Sequence, residues 1–288
     1  MSDFKAIKFD TSKSEFAKVL RKRVNGYFKE KNISKNSNFN MISKTVFMMS
    51  LYLIPFSFLV SGYIEMYWLN LLLWVIMGLG MSGIGMSVMH DANHGSYFKT
   101  KKYNDIVGQV IALIGGNAIN WKLQHNVLHH TYTNISGMDE DLESDPLMRF
   151  SPDQEVKKLH KYQHIYAWFL YGLMTISWSI DKDFSQLIRY KRKGLLKMQN
   201  INFKKALTTL ILSKIFYYVY ALVIPMIFAP NWWIALIGYF TMHFVAGFVL
   251  AIVFQCAHVI ENTEYPKPKE TGDMDTDFYV HQLTTTAN

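Results

Sequence analysis

Apolar residues in this chain gather into four long runs. Residues 46–64 form an almost uncharged stretch of about twenty residues, the length of helix that crosses ~30 Å of hydrocarbon. Residues 67–89 form a second, separated from the first by a short turn that carries Glu65 and no Lys or Arg. Two spans joined so tightly make a helical hairpin. Residues 207–229 and 232–254 repeat the arrangement around Pro230 and Asn231. Trp68, Trp232 and Trp233 stand where aromatic side chains anchor at the far interface. Two shorter apolar stretches, 106–119 and 165–180, fall short of a span. They read as helices lying in the interface or buried against the part outside the membrane.

Composition supports this picture and removes others. Half of the 288 residues are apolar and 18% are charged, which excludes a disordered chain. One cysteine, Cys256, excludes a disulfide scaffold and any cysteine-based zinc or iron–sulfur site. The mean hydropathy of +0.04 averages a polar start with the long apolar runs. No signal peptide is visible in the first 44 residues. Phe16, Val19, Leu20 and Val24, interleaved with Arg21, Lys22 and Arg23, make a basic amphipathic pattern there, suited to a membrane surface or to an ordinary solvated helix.

The formal charge of +8 becomes informative once it is located. Arg21 to Lys44, Lys99 to Lys102, Arg189 to Lys205 and Lys267 to Lys269 all flank the same ends of the spans. By the positive-inside rule both termini and the large middle segment are cytoplasmic, and the charge needs no nucleic acid to explain it. The expected organisation is a basic N-terminal segment, 1–45, and a membrane domain, 46–288, with cytoplasmic segments 90–206 and 255–288.

Six of the ten histidines fall on that predicted cytoplasmic edge. His90 and His94 follow the second span, His125, His129 and His130 sit together, and His258 lies just past the fourth span. The i,i+4 spacing of His90/His94 and of His125/His129 puts each pair on one helix face, while His130 turns about 100° away to reach a second ion. Imidazole-rich ligation suits iron, zinc or copper better than magnesium or calcium. Asp91, Asp139, Asp141 and Asp145 could hold the ligands' outer N–H groups, but most of the Asp139–Asp145 run reads as a solvated loop. His160 and His164, in a lysine-rich stretch, read as surface residues, and His243, mid-span, as a structural hydrogen-bonding group. Lys214 is expected to snorkel toward the cytoplasm. His281 is adjacent to the candidate site and outside the ligand set.

The H-x-x-x-H box at His90–His94, the H-x-x-x-H-H box at His125–His130 and the two hairpins resemble the integral-membrane fatty acid desaturases, from about Lys18 onward. The stretches at 129–134, 254–259 and 281–286 are similar to the acyl-lipid and front-end branch (linoleoyl-CoA desaturase-like). The resemblance implies an all-α integral-membrane fold: four transmembrane helices as two hairpins, with a cytoplasmic helical cap carrying a histidine-rich di-metal site. It implies two iron ions held by His90, His94, His125, His129, His130 and His258, with a third box of the Q-x-x-H-H type some tens of residues beyond His281-Gln282-Leu283. The chain reaches Asn288 before that box and is read as a fragment. Phe254 takes the place of an Asn found in stearoyl-type relatives, and Gln255 is its neighbour. The implied reaction is desaturation of an acyl-CoA or lipid-linked acyl chain with O2 and two external electrons. With no fused haem motif visible, the donor is expected to be a separate ferredoxin or cytochrome b5. The rivals are a membrane di-iron hydroxylase or ketolase, a membrane haem electron-transfer protein, and a histidine-rich zinc hydrolase.

Overall fold

The computed structural model describes residues 4–10, 15–142 and 147–287. Among the described residues the regular structure is helical, apart from one isolated parallel bridge between Lys8 and Asp273. Four helices are long and apolar enough to cross a membrane: Phe39–Leu59, Tyr67–Asn93, Phe203–Phe228 and Trp232–His258. The protein is an integral membrane protein with the four spans expected from the sequence, but their ends differ. The first begins earlier, where the Asn38 side chain caps the Met41 N–H at 3.0 Å. It stops at Leu59, just before left-handed Gly62 turns the chain. The second and fourth continue past the hydrocarbon length, so His90 and His258 ride on the helices themselves.

The chain divides into two compact units. One comprises 36–121 and 166–252 and holds most of the four spans. The other comprises the described parts of 2–35, 122–165 and 253–288.

Lipid tails are as apolar as leucine, so helices in a membrane associate by close packing more than by water exclusion. The second span meets that need with glycine. A Cβ at Gly80 would lie 2.7 Å from the Leu51–Tyr52 backbone of the first span, and one at Gly78 would lie 2.7 Å from the Met242 carbonyl oxygen of the fourth. In return, Gly238 of the fourth span receives the Trp74 ring. These approaches make the second span the central one: 61% of its apolar window is buried, against 17% for the first. Tyr52, Trp74, Met77, Ile84, Tyr217 and Met242 form the surrounding core.

Both shorter apolar stretches pack against the spans. Ile111 and Ile114 of the 3-10 helix Gln109–Ile114 are fully buried in the same core. Irregular backbone at this depth needs side-chain partners, because hydrocarbon offers none. The Leu113 carbonyl accepts from Tyr52 at 3.0 Å and also from Tyr220, and the Gly115 carbonyl accepts from Lys214 Nζ at 2.6 Å. The helix Gln163–Ser177 lies along the fourth span, where Gly247 approaches the Gly172 carbonyl and Thr175 donates to the His243 carbonyl at 2.8 Å. The alternative of burial against the part outside the membrane is thus replaced by burial against the spans themselves.

Lys214 does not snorkel. Its side chain is buried and pairs with Asp183 at 2.8 Å, while also donating to the Trp178 carbonyl at 2.9 Å. Trp178 Nε1 and Asn120 Nδ2 donate to the other Asp183 oxygen at 3.2 and 3.4 Å. His243 fills the structural role expected of it, with Nε2 2.7 Å from the Tyr217 hydroxyl and Nδ1 3.0 Å from Thr175 Oγ1.

In the second unit, Phe9 packs against Phe278 and His281 at ring-centroid distances of 5.4 and 5.0 Å. The helix Glu15–Glu30 leaves Phe16, Val19, Leu20 and Val24 exposed, and Arg21 reaches the Tyr279 hydroxyl.

The Lys214–Asp183 pair yields a test. Lys214→Met strands a buried carboxylate, and stability should fall by about 3–5 kcal/mol at neutral pH. Burial already raises the Asp183 carboxyl pKa against the opposing pull of Lys214. A raised carboxyl favours folding below its unfolded pKa and loses that contribution as pH rises through the folded value. The defect should therefore shrink on acidification, read as thermal unfolding in detergent at a series of pH values.

Candidate metal centre

Two groups of histidines form, one in each unit. In the first unit the second span carries a π-helical turn at Ile84–Val88, and the α-helix resumes over Met89–Asn93. His90 and His94 share a face as their spacing predicts, with ring centroids 4.5 Å apart. The Trp121 ring packs edge-on against both, at 5.6 and 5.5 Å. Asp91 Oδ1 holds His90 Nδ1 at 3.0 Å. The loop that follows is fixed by Asn104, whose amide donates to the carbonyls of Gly95 and Phe98 at 3.0 and 2.7 Å, and by Asn93, which donates to the Gly108 carbonyl at 3.1 Å.

In the second unit, Lys122–His129 is itself π-helical, and the His130 N–H reaches back five residues to the His125 carbonyl at 2.9 Å. That register changes the geometry expected from sequence. A π-turn aligns positions five apart, so His130 does not point away: its Nε2 faces His125 Nε2 at 3.1 Å. His129 instead faces His258, Nε2 to Nε2, at 3.2 Å. The His125 and His129 rings remain neighbours, nearly parallel and 5.2 Å apart.

The outer ring nitrogens assign the tautomers. His129 Nδ1 lies 3.0 and 3.1 Å from the two oxygens of fully buried Asp139, so its proton sits there. The nearest partner of His258 Nδ1 is the Thr285 carbonyl, at 3.4 Å. His129 Nε2 and His258 Nε2 then face one another, joined by a shared proton or, in its place, a metal ion. Two ligands bound at ~2.1 Å with roughly a right angle at the ion have nitrogens about 3.0–3.2 Å apart. Both facing pairs match that separation, so the donor set fits a metal ion.

Electrostatics point the same way. Burial opposes a proton on His129, but Asp141 and Asp139 outweigh it and raise the metal-free imidazole to about 9. Carboxylates that favour a proton there also favour a divalent ion. Asp141 Oδ2 stands close to the outer nitrogens of both His125 and His129. Asp91, Asp139 and Asp141 thus stand behind the rings, where the sequence predicts a solvated loop for most of the Asp139–Asp145 run, and Asp145 lies outside the described residues.

Neither His160 nor His281 belongs to these facing couples. His160 Nδ1 accepts from the Lys157 N–H at 3.1 Å, a local cap. His281 is buried on the helix Phe278–Thr285, and the oxygen of Gln255 is enclosed without a hydrogen-bond partner. Sequence reasoning passed over Trp121, Asn104 and Asn134. Asn134, at φ 59°, donates to the carbonyls of His258, Glu264 and Thr285 at 3.1 Å each, tying the second box to the end of the fourth span. Its place directly after His129–Thr133 was a signal, but no linear pattern names three carbonyls so far along the chain.

Known proteins resemble this chain along nearly all of its length. The fatty acid desaturase family profile matches residues 66–287. The sn-1 linoleoyl-lipid 6-desaturase of Arthrospira platensis is 34% identical over 275 residues, covering 95% of this chain and 73% of that protein. The enzyme of the same name from Synechocystis sp. is 30% identical, covering 98% and 78%. The acyl-lipid (8-3)-desaturase of Physcomitrium patens is 29% identical, covering 97% and 58%. No solved structure matches.

If a metal displaces the His129 proton, divalent-ion affinity should climb about tenfold per pH unit below about 9 and level off above it. Above that point Asp139→Asn should weaken binding about 10–100-fold, because the ligand loses its orienting carboxylate. Calorimetric titration of the metal-free protein with Zn2+ measures both.

Proposed function

The chain belongs to the fatty acid desaturase family, and from that premise we propose that it desaturates a lipid-linked acyl chain at a di-iron centre held by His90, His94, His125, His129, His130 and His258. The observation that carries the iron assignment is the pair of facing imidazole couples, His125/His130 and His129/His258, backed by buried carboxylate. The named acyl-lipid relatives support a lipid-linked chain over an acyl-CoA.

The overall change is –CH2–CH2– + O2 + 2 e− + 2 H+ → –CH=CH– + 2 H2O. An unactivated methylene is not acidic, so no side-chain base can begin this reaction; a bound iron pair supplies the oxidising power with dioxygen. The chain's own residues prepare the site. Asp139, Asp91 and the Thr285 carbonyl hold outer ring nitrogens so that the inner ones are free to ligate. Burial of His125 and His129 keeps bulk water from that part of the site. The electrons come from a separate ferredoxin or cytochrome b5. The positive-inside pattern supports cytoplasmic termini and a cytoplasmic site.

Expression of the full-length protein in a host making simple fatty acids, followed by mass spectrometry of its acyl chains, tests the reading. A new unsaturated species is expected, reduced at least 100-fold by His94→Ala or His129→Ala. A hydroxylated chain in its place would make the protein a hydroxylase, and purified protein without iron would overturn the di-iron assignment.

A further inference from the structure

The rings of His125 and His129 diverge at their inner nitrogens, one toward His130 and the other toward His258. At their outer nitrogens they converge. Asp141 Oδ2 lies 3.4 Å from His129 Nδ1 and 3.7 Å from His125 Nδ1. The carboxylate is held in place from two sides. Gln124 donates to its Oδ1 at 2.5 Å, and its own backbone N–H donates to Asp139 Oδ1 at 2.9 Å. Asp139 is different: its contact with these rings is to His129 alone. Asp141 is also one-third exposed, whereas Asp139 is fully buried.

We propose that Asp141 is a positioning residue shared by the two halves of the metal centre, one carboxylate that orients a ligand of each ion and couples the two ions electrostatically. The inference rests on the di-iron reading given above. A carboxylate behind an imidazole makes that ligand more basic and favours the more positive, oxidised state of its ion. One carboxylate behind two imidazoles, one from each facing couple and each couple taken to hold one ion, does this to both ions together. Asp139 touches the His129 half directly and reaches the other half only by holding Asp141. Asp141 faces the outer nitrogens, with the imidazole rings between it and the inner nitrogens, so it tunes the ions without ligating them. A reaction that draws two electrons per turnover gains from a centre whose two potentials move in step.

The test uses the full-length protein reconstituted with isotopically enriched iron, comparing wild type, Asp141→Asn, Asp141→Glu and Asp139→Asn. Iron stoichiometry, Mössbauer spectra and midpoint potentials are measured, none of which requires turnover. Asp141→Asn should keep both iron equivalents at saturating iron, shift both quadrupole doublets and raise both potentials, while Asp141→Glu should restore them toward wild type. Asp139→Asn, whose amide oxygen can still accept from the Asp141 N–H, should move the doublet of the His129 half most. A change confined to one doublet in Asp141→Asn, or none, would overturn the shared role. Loss of one iron equivalent in that variant would overturn it differently, by making Asp141 a direct ligand. Wild-type protein that binds no iron would instead sink the di-iron reading on which the inference stands.

Discussion

The Asp139 carboxylate organises much of the second unit. It is fully buried and accepts from His129 Nδ1, from the Asn134 N–H at 2.9 Å and from the Asp141 N–H at 2.9 Å. Each contact has a consequence. The first sets the His129 tautomer and turns its lone pair toward His258. The second closes the turn that places Asn134, and Asn134 gathers three carbonyls from 258, 264 and 285. The third brings Asp141 behind both histidines of the box. A buried anion with neutral partners alone would be costly. Here the cost is offset by a proton on His129 or, in the loaded protein, by a metal ion. That dependence makes the site a cation receptor.

The membrane unit answers a separate constraint, that backbone groups in hydrocarbon must be satisfied from within. Regular spans satisfy their own. The 3-10 segment at Gln109–Ile114 and the turn after it cannot, and Tyr52, Tyr220 and Lys214 supply the missing donors. Lys214 can stay at that depth because Asp183 meets it. These three polar residues inside the apolar bundle thus permit irregular backbone. Glycines at 78, 80 and 238 play the matching part for packing, since without them the spans could not approach closely enough to bury Trp74 and Tyr52.

Legibility varied from residue to residue for physical reasons. The four spans could be read because hydrocarbon thickness imposes a length and a composition on any helix that crosses it. The His90/His94 pairing could be read because four residues make about one α-helical turn. The pairing of His130 could not, because it depends on a π-helical register at Lys122–His129 that no residue in the box announces. Lys214 misled because a lysine in a span ordinarily has a stem long enough to reach water. Its actual partner comes from another helix, 31 positions earlier.

What the sequence determined by itself was the class of the molecule: the number of spans, the hairpins, the candidate ligands and the family they resemble. Those follow from local rules of length, periodicity and residue chemistry. The tertiary structure decided which imidazole faces which, which carboxylate stands behind each ring, and where the buried charges find partners. Such contacts join distant positions, His129 and His258 being 129 apart in the chain, and depend on helix register and on packing that no local window contains.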